Sequence, residues 1–181
     1  MQLNQDEGSR LLEIARQTID AHLNGTEPPE VVRPSSALEQ RAGCFVTIEM
    51  NDQLRGCIGT FSSELPLHRE VAQMAVAAAT GDPRFYAMTA EDIGRYQLDI
   101  SVLSPLERIE DTSVIEVGTH GIYLENDYSR GVLLPQVATE HGWNRRTFLE
   151  QTCVKAGLPT DAWQSPHTDI YIFSAQIISD H

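Results

Sequence analysis

The sequence predicts an α+β fold built on a largely antiparallel β-sheet flanked by helices. Helical and strand-like hydrophobic periods are interspersed along the chain, strand-like runs come in neighbouring pairs across short turns, and strict βαβ alternation is absent. At 181 residues and 41% apolar composition, the chain suffices for one sizeable core, or a core with a smaller lobe attached.

The first element is an amphipathic helix. Leu11, Leu12, Ala15, Ile19 and Leu23 recur at spacings of three and four, Asn4 and Glu7 form a capping pair, and Gly25 supplies the stop. "TEPPEVVRPSSALEQRAG" has three prolines and no sustained period, and reads as a long ordered loop. "CFVTIEM", the pair Asn51-Asp52 and "LRGCIGTF" form a β-hairpin. "LPLHREVAQMAVAAATGD" is a buried helix whose small residues permit close packing, ended by Gly81 and Pro83. Thr89 with Asp92 caps a short helix, and "LDISVLSP" is a strand closed by Pro105. A second hairpin, "GIYLENDYSRGVLL", turns near Asn126-Asp127. Pro135 starts a helix through Glu140, and "NRRTFLEQTCVKAG" is a further helix with Phe148, Leu149, Thr152, Cys153 and Ala156 on one side. "DIYIFSAQIIS" is apolar on both faces and is expected in the middle of a sheet.

Charge and cysteine count narrow the function classes. A net charge of −13, from 26 acidic against 13 basic residues, opposes binding to a phosphate backbone, so no nucleic-acid partner is expected. No apolar run approaches the roughly 18 residues of a membrane span, and the N-terminus lacks the pattern of a signal peptide, so the expectation is a cytoplasmic protein with no membrane partner. Three cysteines at wide spacings fit a reduced compartment and neither a disulfide framework nor a zinc cage.

The hexapeptide Leu54–Gly59, "LRGCIG", puts two glycines inside a strand, where glycine marks a bulge or the close approach of a ligand or another backbone. Strand alternation directs Leu54 and Ile58 to the core, and Arg55, Cys57 and Gly59 to the other face, with Gly56 beside the apolar pair. A fixed cation beside a thiol favours the thiolate, so Arg55 and Cys57 suggest an activated nucleophile with Gly56 and Gly59 leaving room for a ligand. The competing reading is that Cys57 packs as a small hydrophobe, which is the better account of Cys44 and Cys153.

The stretches "LRGCIGTF", "DPRF" (82–85), "ISVLSP" (100–105), "GTHGIYL" (118–124), "GVLLPQVATEHGW" (131–143) and "CVKAGLP" (153–159) together resemble the AMMECR1-domain family, whose bacterial branch is called AmmeMemoRadiSam system protein A. The resemblance runs in register from about Leu11 to Phe173 and implies a single AMMECR1 domain over 1–181. It implies a larger lobe on an antiparallel sheet, a smaller lobe, and the hexapeptide near a cleft. It further implies association with a Memo-like protein and a radical-SAM protein, and supplies no reaction and no cofactor. One departure is Cys44, where family members usually carry a small residue such as alanine.

Four further residues are weighed. His120, between Gly118 and Gly121, either reaches a cleft as proton carrier or bonds its own backbone. Arg84 either binds an anionic ligand or ties down its loop. Gln136 and Glu140 share a helix face that is either a ligand contact or solvated. The leading expectation is an enzyme or enzyme component acting on a small molecule or a modified macromolecule, with Cys57 as nucleophile, Arg55 as activator or anion binder and His120 as proton carrier. The alternative is a non-catalytic binding module that offers the glycine-bearing strand to a protein or small-molecule partner. A metal site on Cys57 and His120 lacks the further ligands that zinc requires, and no metal is expected.

Overall fold

The computed structural model describes residues 2–180 and has the predicted α+β class, with the strand pairs inside each of its units antiparallel. It forms two compact units, residues 2–103 with 176–180, and residues 104–175.

In the first unit, helix α1 (Gln5–Asn24) begins at Asn4, whose Oδ1 accepts from the Glu7 N–H at 2.9 Å while the Glu7 carboxylate accepts from the Asn4 N–H at 3.0 Å. Two of the orphan donors of the first turn are thereby satisfied. Gly25 closes the helix at φ +67°. Strands β1 (Cys44–Met50) and β2 (Gln53–Thr60) are joined by Asn51 and Asp52 at φ 53° and 59°, the doubly left-handed turn that matches the twist of a hairpin. Strand β3 (Gln97–Leu103) pairs with the other side of β1.

Helix α2 (Leu67–Thr80) and α1 cover one face of these strands. Cys44, Val46, Ile48, Leu98 and Ile100 meet Leu11, Ile19, Val71 and Ala75 there. The predicted cap at Thr89 and Asp92 is present. The 26–43 segment is an irregular loop tied back through a bridge between Arg41 and Pro66.

The second unit holds strands β4 (Glu107–Ile109), β5 (His120–Glu125), β6 (Arg130–Leu133) and most of β7 (Asp169–Ser179). Strand β7 pairs with β4 on one side and β5 on the other, which explains its apolar pattern on both faces. The β5–β6 turn is held by Asn126, whose Oδ1 accepts from the N–H groups of Tyr128 and Ser129. Helices α3 (Pro135–Glu140) and α4 (Arg145–Lys155) pack on this sheet, and Phe148 and Leu149 of α4 join Ile122, Ile170 and Ile172 in its core. The three-residue β4 is not anticipated from the sequence, being too short to show a period. Among the described residues, no helix is long and apolar enough to cross a membrane.

Candidate functional site

The hexapeptide occupies β2, and its register departs from simple alternation. Gly56 lies opposite Ile48 and Leu54 opposite Glu49, so Arg55 is an extra residue, a β-bulge. Leu54 therefore shares the face of Glu49 and is 41% exposed, not in the core as expected, whereas Ile58 does pack against the core. Beyond the bulge the predicted facing holds. Cys57 lies opposite Thr47 and Gly59 opposite Phe45, on the face turned away from the helices.

Cys57 is half-buried, while Cys44 and Cys153 are fully buried. Burial first, and the nearby Glu70 carboxylate second, push the Cys44 thiol up to about 12; burial also raises that of Cys153. The Thr47 hydroxyl donates a hydrogen bond to the Cys57 sulfur at 3.2 Å. Asp99 lies opposite Thr47 on β3, so Cys57, Thr47 and Asp99 form one row across three strands.

The backbone of Cys57 is clamped from outside the sheet. Its N–H donates to Asp82 Oδ2 at 2.9 Å and its carbonyl accepts from Arg84 Nη2 at 3.3 Å. Cys57 and Thr47 are thus a pair that exchanges no main-chain bonds, the arrangement that brings facing side chains closest. Asp82 is buried and also accepts from the Arg84 backbone N–H at 3.1 Å, from Nε at 2.9 Å and from Nη2 at 2.7 Å. These bonds, the guanidinium's first, hold the Asp82 carboxyl far below the usual carboxylate range despite its burial. In return they raise Arg84, to which the Cys57 thiol adds a smaller attraction.

The cation shown beside Cys57 is therefore Arg84. Arg55, on the bulge, is half-buried and makes no ion pair among the described residues. Arg84 also fulfils the loop-tying reading, and its side chain remains 55% exposed.

The two glycines are filled by protein. A Cβ at Gly56 would stand 2.1 Å from the Ala78 carbonyl oxygen of α2. One at Gly59 would stand 2.3 Å from the Cys44 carbonyl oxygen and 2.4 Å from Phe45 Cγ. Both positions admit close approach of the chain to itself, Gly56 for helix-on-sheet contact and Gly59 for the Phe45 ring, which packs edge-on against Phe61 at 4.9 Å. The space predicted at Gly59 for a ligand is occupied.

His120 and Gln136 belong to the second unit. His120 opens β5, and its Nδ1 accepts from the Glu116 N–H at 3.1 Å, the own-backbone bond foreseen for it. In the neutral ring this leaves the proton on Nε2. Gln136 is half-buried on α3, with its Oε1 shielded from solvent and without a hydrogen bond among the described residues, while Glu140 is exposed. No group of three or more His, Cys, Asp or Glu side chains among the described residues is arranged to hold a metal ion.

Sequence reasoning missed Thr47, Asp99 and the role of Asp82. The first two carried a usable signal, because Val46 and Ile48, and Leu98 and Ile100, alternate with them and leave polar side chains on the opposite face. Nothing in the sequence shows that Asp82 reaches the Cys57 backbone.

The family model described as AMMECR1 matches residues 12–178. A protein of Methanothermobacter thermautotrophicus is 42% identical, over 98% of this chain and 96% of its own length. Protein MK0488 of Methanopyrus kandleri is 38% identical, over 98% of this chain and 90% of its own. The crystal structure of the uncharacterized protein PH0010 from Pyrococcus horikoshii superimposes with a TM-score of 0.87 at 35% identity, covering 97% of this chain and 92% of that one.

Proposed function

The chain belongs to the AMMECR1 family, and we propose that Cys57 is its nucleophile, in an enzyme or enzyme component that acts on a small molecule or a modified macromolecule. The observation that carries this reading is the 3.2 Å hydrogen bond from Thr47 to the sulfur of the one cysteine that is not fully buried. That hydroxyl directs the sulfur, and the Asp82–Arg84 pair fixes the same residue's backbone. The sulfur gives its electron pair to an electrophilic carbonyl carbon of the substrate, the carbonyl π pair moves onto its oxygen, and the thiol proton passes to water. Arg55 and Arg84 bind an anionic group of the substrate. A Memo-like protein and a radical-SAM protein act in the same pathway, and the protein works in the cytoplasm.

The rival reading, strand addition along β2, is opposed at Cys57, where Asp82 and Arg84 already hold the outward N–H and carbonyl.

Alkylation of the native protein with iodoacetamide, followed residue by residue by mass spectrometry, tests the proposal. Cys57 is expected to react in the folded state, with Cys44 and Cys153 protected. Thr47→Val should slow its reaction at unchanged melting temperature. A Cys57 that stays unmodified until the protein unfolds overturns the reading.

A further inference from the structure

In the second unit, Trp163 stands in a short 310 turn, Ala162–Gln164, and forms a wall common to two cavities. The larger, about 510 Å3, is lined in part by Arg108, Glu110, Ser165 and Asp169; the smaller, about 300 Å3, runs over the first turn of α4. Thr112 and Arg146 border both.

The charged groups here differ in how far they are committed. Arg108 is engaged by Asp169, whose Oδ1 accepts from Nε at 3.1 Å and from Nη2 at 2.5 Å. Arg146 gives only its Nε, to Glu150 at 2.9 Å, which leaves both terminal amino groups of the guanidinium without a protein acceptor among the described residues. Glu110 lines the same cavity and attracts Arg108 from a distance, but accepts no hydrogen bond and joins no close ion pair among the described residues. The Trp163 indole N–H is shielded from water and likewise has no acceptor among the described residues. A buried donor left unmade in this way is costly and uncommon.

One open cation, one open anion and an indole in the lining of one cavity complement a ligand that carries both charges on an apolar body. A pure anion would meet Glu110 and Asp169, and a pure cation would meet Arg108 and Arg146. The volume exceeds what one amino acid fills and falls within the range of small-ligand sites. We propose that this cavity binds a short zwitterionic peptide of about two or three residues. Its carboxylate lies on the Arg146 guanidinium and its ammonium on Glu110. An apolar side chain packs on the Trp163 wall.

The chain has two tryptophans, so Trp143→Phe leaves Trp163 as the sole indole reporter. Titration of that variant with the dipeptide Leu-Leu should change Trp163 emission saturably, and calorimetry on the unaltered protein should give the same affinity. N-acetyl-Leu-Leu-amide, which has neither terminal charge, should bind at least about 10-fold more weakly. Glu110→Gln and Arg146→Gln should each weaken Leu-Leu by about 10-fold at unchanged melting temperature, since both side chains are exposed. No saturable change up to about 10 mM Leu-Leu, equal binding of the blocked peptide, or no effect of either substitution overturns the proposal.

Discussion

Replacing Gly56 or Gly59 by alanine separates a hexapeptide that packs from one that leaves room for a ligand. At Gly56 the added methyl would lie 2.1 Å from the Ala78 carbonyl oxygen, and a tolerable contact of 3.0 Å requires α2 to retreat by about 0.9 Å. That retreat loosens the packing of Val71, Ala75 and Ala78 on β1 and β2, so the cost is at the upper end of overpacking, about 3 kcal/mol. At Gly59 the obstacle is the Cys44 carbonyl, which is fixed by the β1 ladder, together with a Phe45 ring that can swing away. A cost of about 2 kcal/mol follows. Gly25→Ala is the control: nothing lies within 4 Å, and only the positive φ is strained, which costs about 1 kcal/mol. Urea unfolding with a common m-value reads all three. A Gly59→Ala protein within about 0.5 kcal/mol of the parent would refute the packing account and restore open space beside Cys57.

Other outcomes follow from the clamp, the buried Cys153 and the cap of α1. Because the folded Asp82 carboxyl titrates below its unfolded value of about 3.9, its contribution to stability is complete above about pH 4 and is lost as pH falls toward the folded value; Asp82→Asn should lower stability at neutral pH and flatten the acid limb, as read by melts from pH 7 downward. Cys153→Ala should cost about 1 kcal/mol in urea unfolding and leave Cys57 alkylation unchanged, since Cys153 packs with Phe148 and Leu149 on the buried side of α4. Asn4→Ala should cost about 1 kcal/mol by removing the capping box of α1, measured the same way.

Much of the architecture follows from local rules. The caps at Asn4 and Thr89, the left-handed pair Asn51-Asp52 and the proline start of α3 are each set by a few adjacent residues whose stereochemistry admits one solution. The site follows less readily. The bulge at Arg55 has no composition of its own, and it turns Leu54 outward against the alternation of its neighbours. Arg84 lies 27 residues along the chain from Cys57, and only the folded hairpin against the end of α2 brings its guanidinium to the Cys57 carbonyl. Sequence proximity therefore favours Arg55 as the cation, whereas the observed contact is made by Arg84.

The clamp also bears on which kind of work β2 suits. A strand that receives another strand needs free outward N–H and carbonyl groups, and β2 is the outer member of the β2–β1–β3 set of the first unit. At Cys57 those groups are taken by a buried carboxylate and the guanidinium that neutralises it, so an incoming strand would have to strip Asp82 of a donor inside the protein. Leaving a buried carboxylate short of donors costs more than one added ladder bond returns. A nucleophile has the opposite requirement, a backbone that cannot move and a side chain that others can reach. Cys57 has its N–H and carbonyl fixed, its sulfur directed by Thr47, and a side chain only half-buried. Asp82 and Arg84 thus protect a sheet edge and hold a thiol in place through the same bonds, and losing either should cost both properties together.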